Sequence, residues 1–165
     1  MKPQKLLRLV SEMLKNSKKS DRELAGILGV SQPTVSRTRA RIEKEYIKTY
    51  TIIPDFQKLG YKIMAFTFGK TKLYSGEDKT VEIAQKSKEW VAKRPNVIFG
   101  SGGEGLGKDV VLMSFHKDYS AYAEFMRSFG MDLGHFMDNF ESFLVSIGSG
   151  YKLRNFDLKY LADDI

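Results

Sequence analysis

The stretch SDRELAGILGVSQPTVSRTRARIEKE, residues 20–45, decides how the first third of the chain folds. Ser20 followed three residues later by Glu23 is a capping box, and Leu24, Ala25, Ile27 and Leu28 behind it recur at helical spacing. Gly29 is suited to the left-handed conformation that ends such a helix. One apolar residue later, Ser31 is a fresh N-cap and Pro33 falls in the first turn, where its missing N–H costs little. Val35, Thr38 and Ile42 mark the inward face of a third helix that runs to about Glu45. Upstream, Leu6, Leu7, Val10, Met13 and Leu14 predict a helix over residues 3–15, with Pro3 in its first turn. Three short helices with a tight glycine turn before the third make a helix-turn-helix.

Residues 46–53, YIKTYTII, are rich in β-branched and aromatic side chains and predict a strand, the wing of a winged helix-turn-helix, stopped by Pro54. Beyond Pro54 the pattern changes. A strand is expected over residues 61–69, then a helix capped by Asp78 with Ile83, Ala84, Ser87, Trp90 and Val91 inward, stopped at Pro95. Residues 96–100 and 109–116 read as two strands around a glycine-rich connection. Asp118 caps a further helix with Tyr122, Phe125, Met126 and Phe129 inward, and residues 139–148 read as a last strand, with Phe143, Val145 and Ile147 on one face. The order β-α-β-β-α-β is that of a ferredoxin-like unit. The chain is therefore expected to be α+β: a helix-turn-helix domain at 1–53, a linker at 54–60 and a ferredoxin-like domain at 61–165.

The formal net charge is +7, and its placement is informative. Residues 1–50 hold 12 Lys and Arg against five acids, while the remaining 115 residues hold 15 of each. The whole excess sits on the helix-turn-helix, where a polyanion such as double-stranded DNA would be held by counterion release. No apolar run approaches the roughly 20 residues that span a bilayer, so neither membrane insertion nor secretion is expected. With no cysteine there is no disulfide, thiolate metal site or cysteine nucleophile. A cytoplasmic protein fits these features.

The segments VSQPTVSR (30–37), RIEKE (41–45), YIKTYT (46–51) and DVVLMSFHKD (109–118) resemble the Lrp/AsnC family of prokaryotic transcriptional regulators. That resemblance implies a DNA-binding regulator with a C-terminal domain for oligomerisation and small-molecule binding, working as a homodimer or a multiple of dimers. The family usually has a glycine between the acidic helix end and the following strand, whereas here Glu45 runs directly into Tyr46.

On the third helix Gln32 and Arg37 are the candidate base readers, since Gln matches adenine N6/N7 and Arg matches guanine O6/N7. Ser31, Thr34 and Ser36 are candidate donors to phosphates or bases. Arg39, Arg41, Lys44 and Lys48 are candidate phosphate contacts, which position the protein without specifying sequence.

The run GSGGEGLGK, residues 100–108, matches G-x-G-x-x-G and most of a P-loop, but a strand follows it where a phosphate loop needs a helix N-terminus. A mobile hairpin connection is the plainer reading. In the resembled family this connection lies near an effector pocket, often written Gly-x-x-Asp. Asp109 falls at the aspartate position, while Leu106 stands where the glycine would be. The resemblance thus implies an amino acid or similar metabolite as effector, with Gly102, Gly103, Gly105 and Asp109 as candidate contacts. No cofactor is indicated. His116 and His135 stand nineteen positions apart, which does not support a metal site. No nucleophile and base are recognisable, so an enzyme is not expected. Two alternatives stay open: an architectural DNA-binding protein without an effector, and a nucleotide-binding protein or enzyme using the glycine run.

Overall fold

The computed structural model describes the backbone of residues 3–72 and 77–165, and their side chains apart from those of Pro3, Glu77 and Asp78. The expected Asp78 cap lies outside the described side chains. The chain divides into two compact units, one of Met1–Ile53 with Lys152–Ile165 and the other of Pro54–Tyr151.

In the first unit α1 (Pro3–Lys15), α2 (Asp21–Leu28) and α3 (Gln32–Glu45) enclose Leu6, Leu9, Met13, Leu24, Ala25, Leu28, Val35 and Ile42. Both halves of the capping box form, with Glu23 N–H on Ser20 Oγ and Ser20 N–H on Glu23 Oε2. Gly29 closes α2 at φ +61°. Ser31 does occupy the N-cap of α3, but its hydroxyl pairs with Thr34 Oγ1 at 2.8 Å instead of capping a backbone N–H. At the far end the helix closes without a glycine: Tyr46 ends α3 at φ −123°, and the N–H groups of Tyr46 and Ile47 both donate to the Ile42 carbonyl.

Three expectations for this unit need correction. The inward face of α1 is carried by Leu6, Leu9 and Met13, whereas Leu7 is exposed. Residues 47–53 pair with no strand among the described residues, so no wing forms; an extended segment lacking a partner has no ladder, whatever its β-propensity. Finally, residues 152–165 belong to this unit, not to the ferredoxin-like one. A 3-10 turn at Leu158–Asp163 lies on α1, where Ser11 Oγ donates to the Ala162 carbonyl at 2.6 Å and Lys15 pairs with Asp163.

The second unit contains β1 (Ile63–Thr71), α4 (Glu77–Ala92), β2 (Val97–Gly105), β3 (Lys108–His116), α5 (Tyr119–Leu133) and β4 (Met137–Ser146). The strands form one antiparallel sheet in the order β2-β3-β1-β4, a ferredoxin-like layout. One face carries α4 and α5 over a core of Trp90, Leu112, Phe125, Phe129, Leu133 and Met137. His116 is buried on that face between Tyr122 and Phe125, and burial pushes its pKa down, consistent with packing. On the opposite face Met113 and Phe115 pack with Phe56, Tyr61, Met64 and Phe66. Residues 54–60 are thus no free linker, because the Phe56 ring stacks on Phe115 at 4.2 Å. Among the described residues no helix is long and apolar enough to cross a membrane.

The glycine run is also more regular than a loop. β2 continues through Gly105, and only Leu106 (φ +52°) and Gly107 (φ +68°) form the turn, both in the left-handed region that a two-residue hairpin demands.

Leu9 has no exposed surface, so Leu9→Ala should lower the unfolding free energy by about 2–5 kcal/mol. Leu7→Ala should change it by no more than about 0.5 kcal/mol. Urea denaturation of the two variants measures the contrast.

Candidate nucleic-acid interface

Because α3 buries Val35, Thr38 and Ile42 against α1 and α2, helical geometry turns Gln32, Pro33, Ser36, Arg37, Ala40 and Arg41 outward, and all six are exposed. Among the described residues Arg37 is steadied only by its own helix, its Nε donating to the Pro33 carbonyl at 3.3 Å. Arg41 makes a long pair with Glu45 at 3.9 Å between exposed side chains. Lys44 and Lys48 are exposed and have no ion pair among the described residues. Thr34 is half-buried, with its hydroxyl on Ser31. The structure therefore gathers Ser31, Gln32, Ser36, Arg37, Arg41 and Lys44 along the open side of one helix, and puts Lys48 just beyond it.

Arg39 has a different place. Its guanidinium donates to the carbonyls of Ser17 and Lys19 and pairs with Asp21 at 3.0 Å and Glu43 at 3.2 Å. Those partners occupy the fork, so the expected phosphate contact is replaced by a clamp that fixes α3 against the start of α2. The hydroxyl of Ser36 is likewise occupied, donating to Asp21 Oδ2 at 2.5 Å. These two partners, the hydroxyl first and the guanidinium second, hold the Asp21 carboxyl below the usual range. Tyr50 extends the chain of contacts, its phenol donating to Glu43 Oε1 at 2.7 Å. Local patterning gives no sign of these links, although an Arg at i and a Glu at i+4 is a hint for Arg39 and Glu43.

The expected effector residues are divided between two recesses. Gly102 and Asp109 line a cavity of about 740 Å³ between α4 and the sheet, whose walls include Ile83, Val91 and Leu112. Gly103 and Gly105 line a smaller recess beside Phe68 and Leu106. Asp109 accepts from Thr71 N–H, Thr71 Oγ1 and Lys70 Nζ at 2.8–3.0 Å. Burial alone would raise its pKa, but these three donors hold it low. An incoming ammonium would have to displace Lys70, so the carboxylate is a structural tie first. The glycine run leads into β3, so no helix N-terminus meets it. No cluster of three His, Asp or Glu side chains suited to a metal occurs among the described residues.

No protein-family model matches the chain. It is 37% identical over 98 residues to an uncharacterized HTH-type transcriptional regulator of Pyrococcus horikoshii, covering 56% of this chain and 66% of that one. A second such regulator, from Pyrococcus abyssi, is 34% identical over 76 residues, covering 46% of this chain and 51% of that one. The chain thus spans less than two thirds of the length of either relative. Among solved structures, an AsnC family transcriptional regulator from Agrobacterium tumefaciens superposes with a TM-score of 0.75 at 20% identity, covering 98% of this chain and 99% of that one. A transcriptional regulator from Neisseria meningitidis, solved as a complex with L-Met, also gives 0.75 at 16% identity, covering 92% and 93%. The chain has the fold of the Lrp/AsnC regulators: a helix-turn-helix followed by a ferredoxin-like domain.

Arg39→Ala should destabilise the chain by about 1–3 kcal/mol, because it strands a half-buried carboxylate and two carbonyls. Arg41→Ala should be neutral within about 0.5 kcal/mol. Equal losses in chemical denaturation would contradict the distinction between clamp and surface.

Proposed function

We propose that this chain is a DNA-binding transcriptional regulator that acts as a homo-oligomer on double-stranded DNA. The observation that carries the reading is the open side of α3, where Gln32, Ser36, Arg37 and Arg41 stand exposed on the unit that holds the whole net charge of +7. A helix of this kind fits the major groove, where Gln and Arg read base edges and the outer cations meet phosphates. Likeness to the HTH-type regulators of two Pyrococcus species supports the same conclusion.

Oligomerisation is supported by the outer face of the sheet. The register places Phe99 beside Met113, Met113 beside Phe66 and Phe66 beside Phe143, an apolar row across all four strands. Phe99 and Phe143 are 53% and 67% exposed. Exposed aromatics aligned this way suit a second sheet of the same kind, and a two-fold pair would match an inverted repeat about one helical turn apart.

A response to an amino acid or similar metabolite is a second reading. It draws on the Neisseria regulator crystallised with L-Met and on the cavity beneath α4. With Asp109 already tied to Lys70 and Thr71, contacts from the cavity walls, together with Gly102, support it better than an ammonium at Asp109 does.

Arg37→Ala should weaken binding to the cognate site by about 1–3 kcal/mol and relax preference at one position. Lys44→Ala should weaken binding to every sequence and reduce the salt slope by about 1. Equal losses on cognate and random duplexes for both variants would sink the assignment of reader and positioner. For assembly, light scattering should give a dimer or larger at micromolar concentration, and Phe143→Glu should shift it towards monomer. A wild-type monomer that binds tightly would rule out the sheet-to-sheet pairing.

A further inference from the structure

We propose that Ser36 reads DNA as a hydrogen-bond acceptor only, because its single proton is committed to Asp21, and that Asp21 and Arg39 are the positioning residues that enforce this. The inference rests on the DNA-binding reading above and narrows it to the chemistry of one base contact.

A serine hydroxyl has one hydrogen to donate and two lone pairs that accept. In this structure the hydrogen is spent, since Ser36 Oγ donates to Asp21 Oδ2 at 2.5 Å. Asp21 cannot turn away freely, because its other oxygen, Oδ1, holds Arg39 Nη1 at 3.0 Å. Arg39 is in turn anchored by the Ser17 and Lys19 carbonyls and by Glu43. Ser36 itself is exposed on the outward side of α3, between Gln32 and Ala40. What it presents outward is therefore a pair of lone pairs in a fixed direction.

Phosphate oxygens accept and do not donate, so Ser36 in this state has nothing to give a phosphate. In the major groove the groups that donate are the amino groups of adenine N6 and cytosine N4, while guanine N7 and O6 and thymine O4 only accept. Swapping the carboxylate for a neutral base acceptor would exchange a charge-assisted hydrogen bond for a weaker one. Ser36 should thus favour a base pair that places an amino group opposite it. The device also sharpens readout, because a hydroxyl free to rotate would accept from one base and donate to another with little discrimination.

The experiment begins with selection of bound sequences from randomised duplex DNA by the intact wild-type protein. The selected site is then titrated with each base pair at each position, for the wild type, Ser36→Ala, Asp21→Ala and the double variant. One position per half-site should prefer adenine or cytosine on the strand facing α3. Replacing that base by an analogue without its exocyclic amino group should cost the wild type roughly five-fold in affinity and leave Ser36→Ala unaffected. Asp21→Ala should raise binding to guanine or thymine at that position alone, and the double variant should match Ser36→Ala. A wild type that selects no sequence would overturn the DNA-binding reading itself. A selective wild type that is indifferent to the missing amino group would overturn this inference and leave that reading standing. So would an Asp21→Ala variant that is folded by circular dichroism and weakened equally at every position. Ser36→Ala, at an exposed position, keeps the test decisive if Asp21→Ala does not fold.

Discussion

Leu9, Leu24, Val35 and Ile42 have no exposed surface to speak of, and the first unit is arranged around keeping them so. A three-helix unit of about fifty residues encloses little interior, and its stability is correspondingly marginal. The chain meets this constraint twice. It brings back residues 152–165 to cover α1, with Ser11 donating to the Ala162 carbonyl, and it fastens α3 to the entrance of α2 through Arg39. With the inward face held by packing and one edge by the guanidinium, the opposite side of α3 is left open and rigid. On the proposed reading that rigidity matters, because a base contact misplaced by an ångström loses its hydrogen bond.

What was legible in the sequence is what short stretches decide. Ser20 with Glu23, Gly29, and the spacing of Val35, Thr38 and Ile42 each encode a local event, and each is found where the residues indicated. Asp118 is equally local, its carboxylate accepting from Ala121 N–H at the start of α5. The β-α-β-β-α-β order was legible for the same reason, being a succession of local elements. The choice between Leu7 and Leu9 was not, because both sit on an apolar arc and only the neighbouring helices decide which part of the arc is covered. The wing at residues 46–53 failed on the same ground: propensity cannot supply the partner strand on which a ladder depends.

The candidate site divides in the same way. That Gln32, Ser36, Arg37 and Arg41 share one side of α3 follows from helical period alone. That Arg39 faces inward to Asp21, and that Ser36 gives its proton to the same carboxylate, depends on how two helices are set against each other, which composition and charge do not reveal. Residues 100–109 mislead for a related reason. Glycines look like loop residues in a sequence, yet Gly102 continues the strand beyond the expected end at Gly100; both lie on the face beneath α4, and a Cβ on Gly100 would stand 2.8 Å from Leu112 Cδ2. There the missing side chain makes room for a neighbour.

The return of the C-terminal segment also sets a timetable. Ser11 and Ala162 are 151 residues apart along the chain, yet they are bonded within one compact unit. At about 5–20 residues per second, roughly eight to thirty seconds of translation separate the two. The ferredoxin-like unit, a contiguous stretch, has all its strands in hand before then. On a nascent chain the helix-turn-helix unit is therefore begun before the ferredoxin-like unit and completed after it.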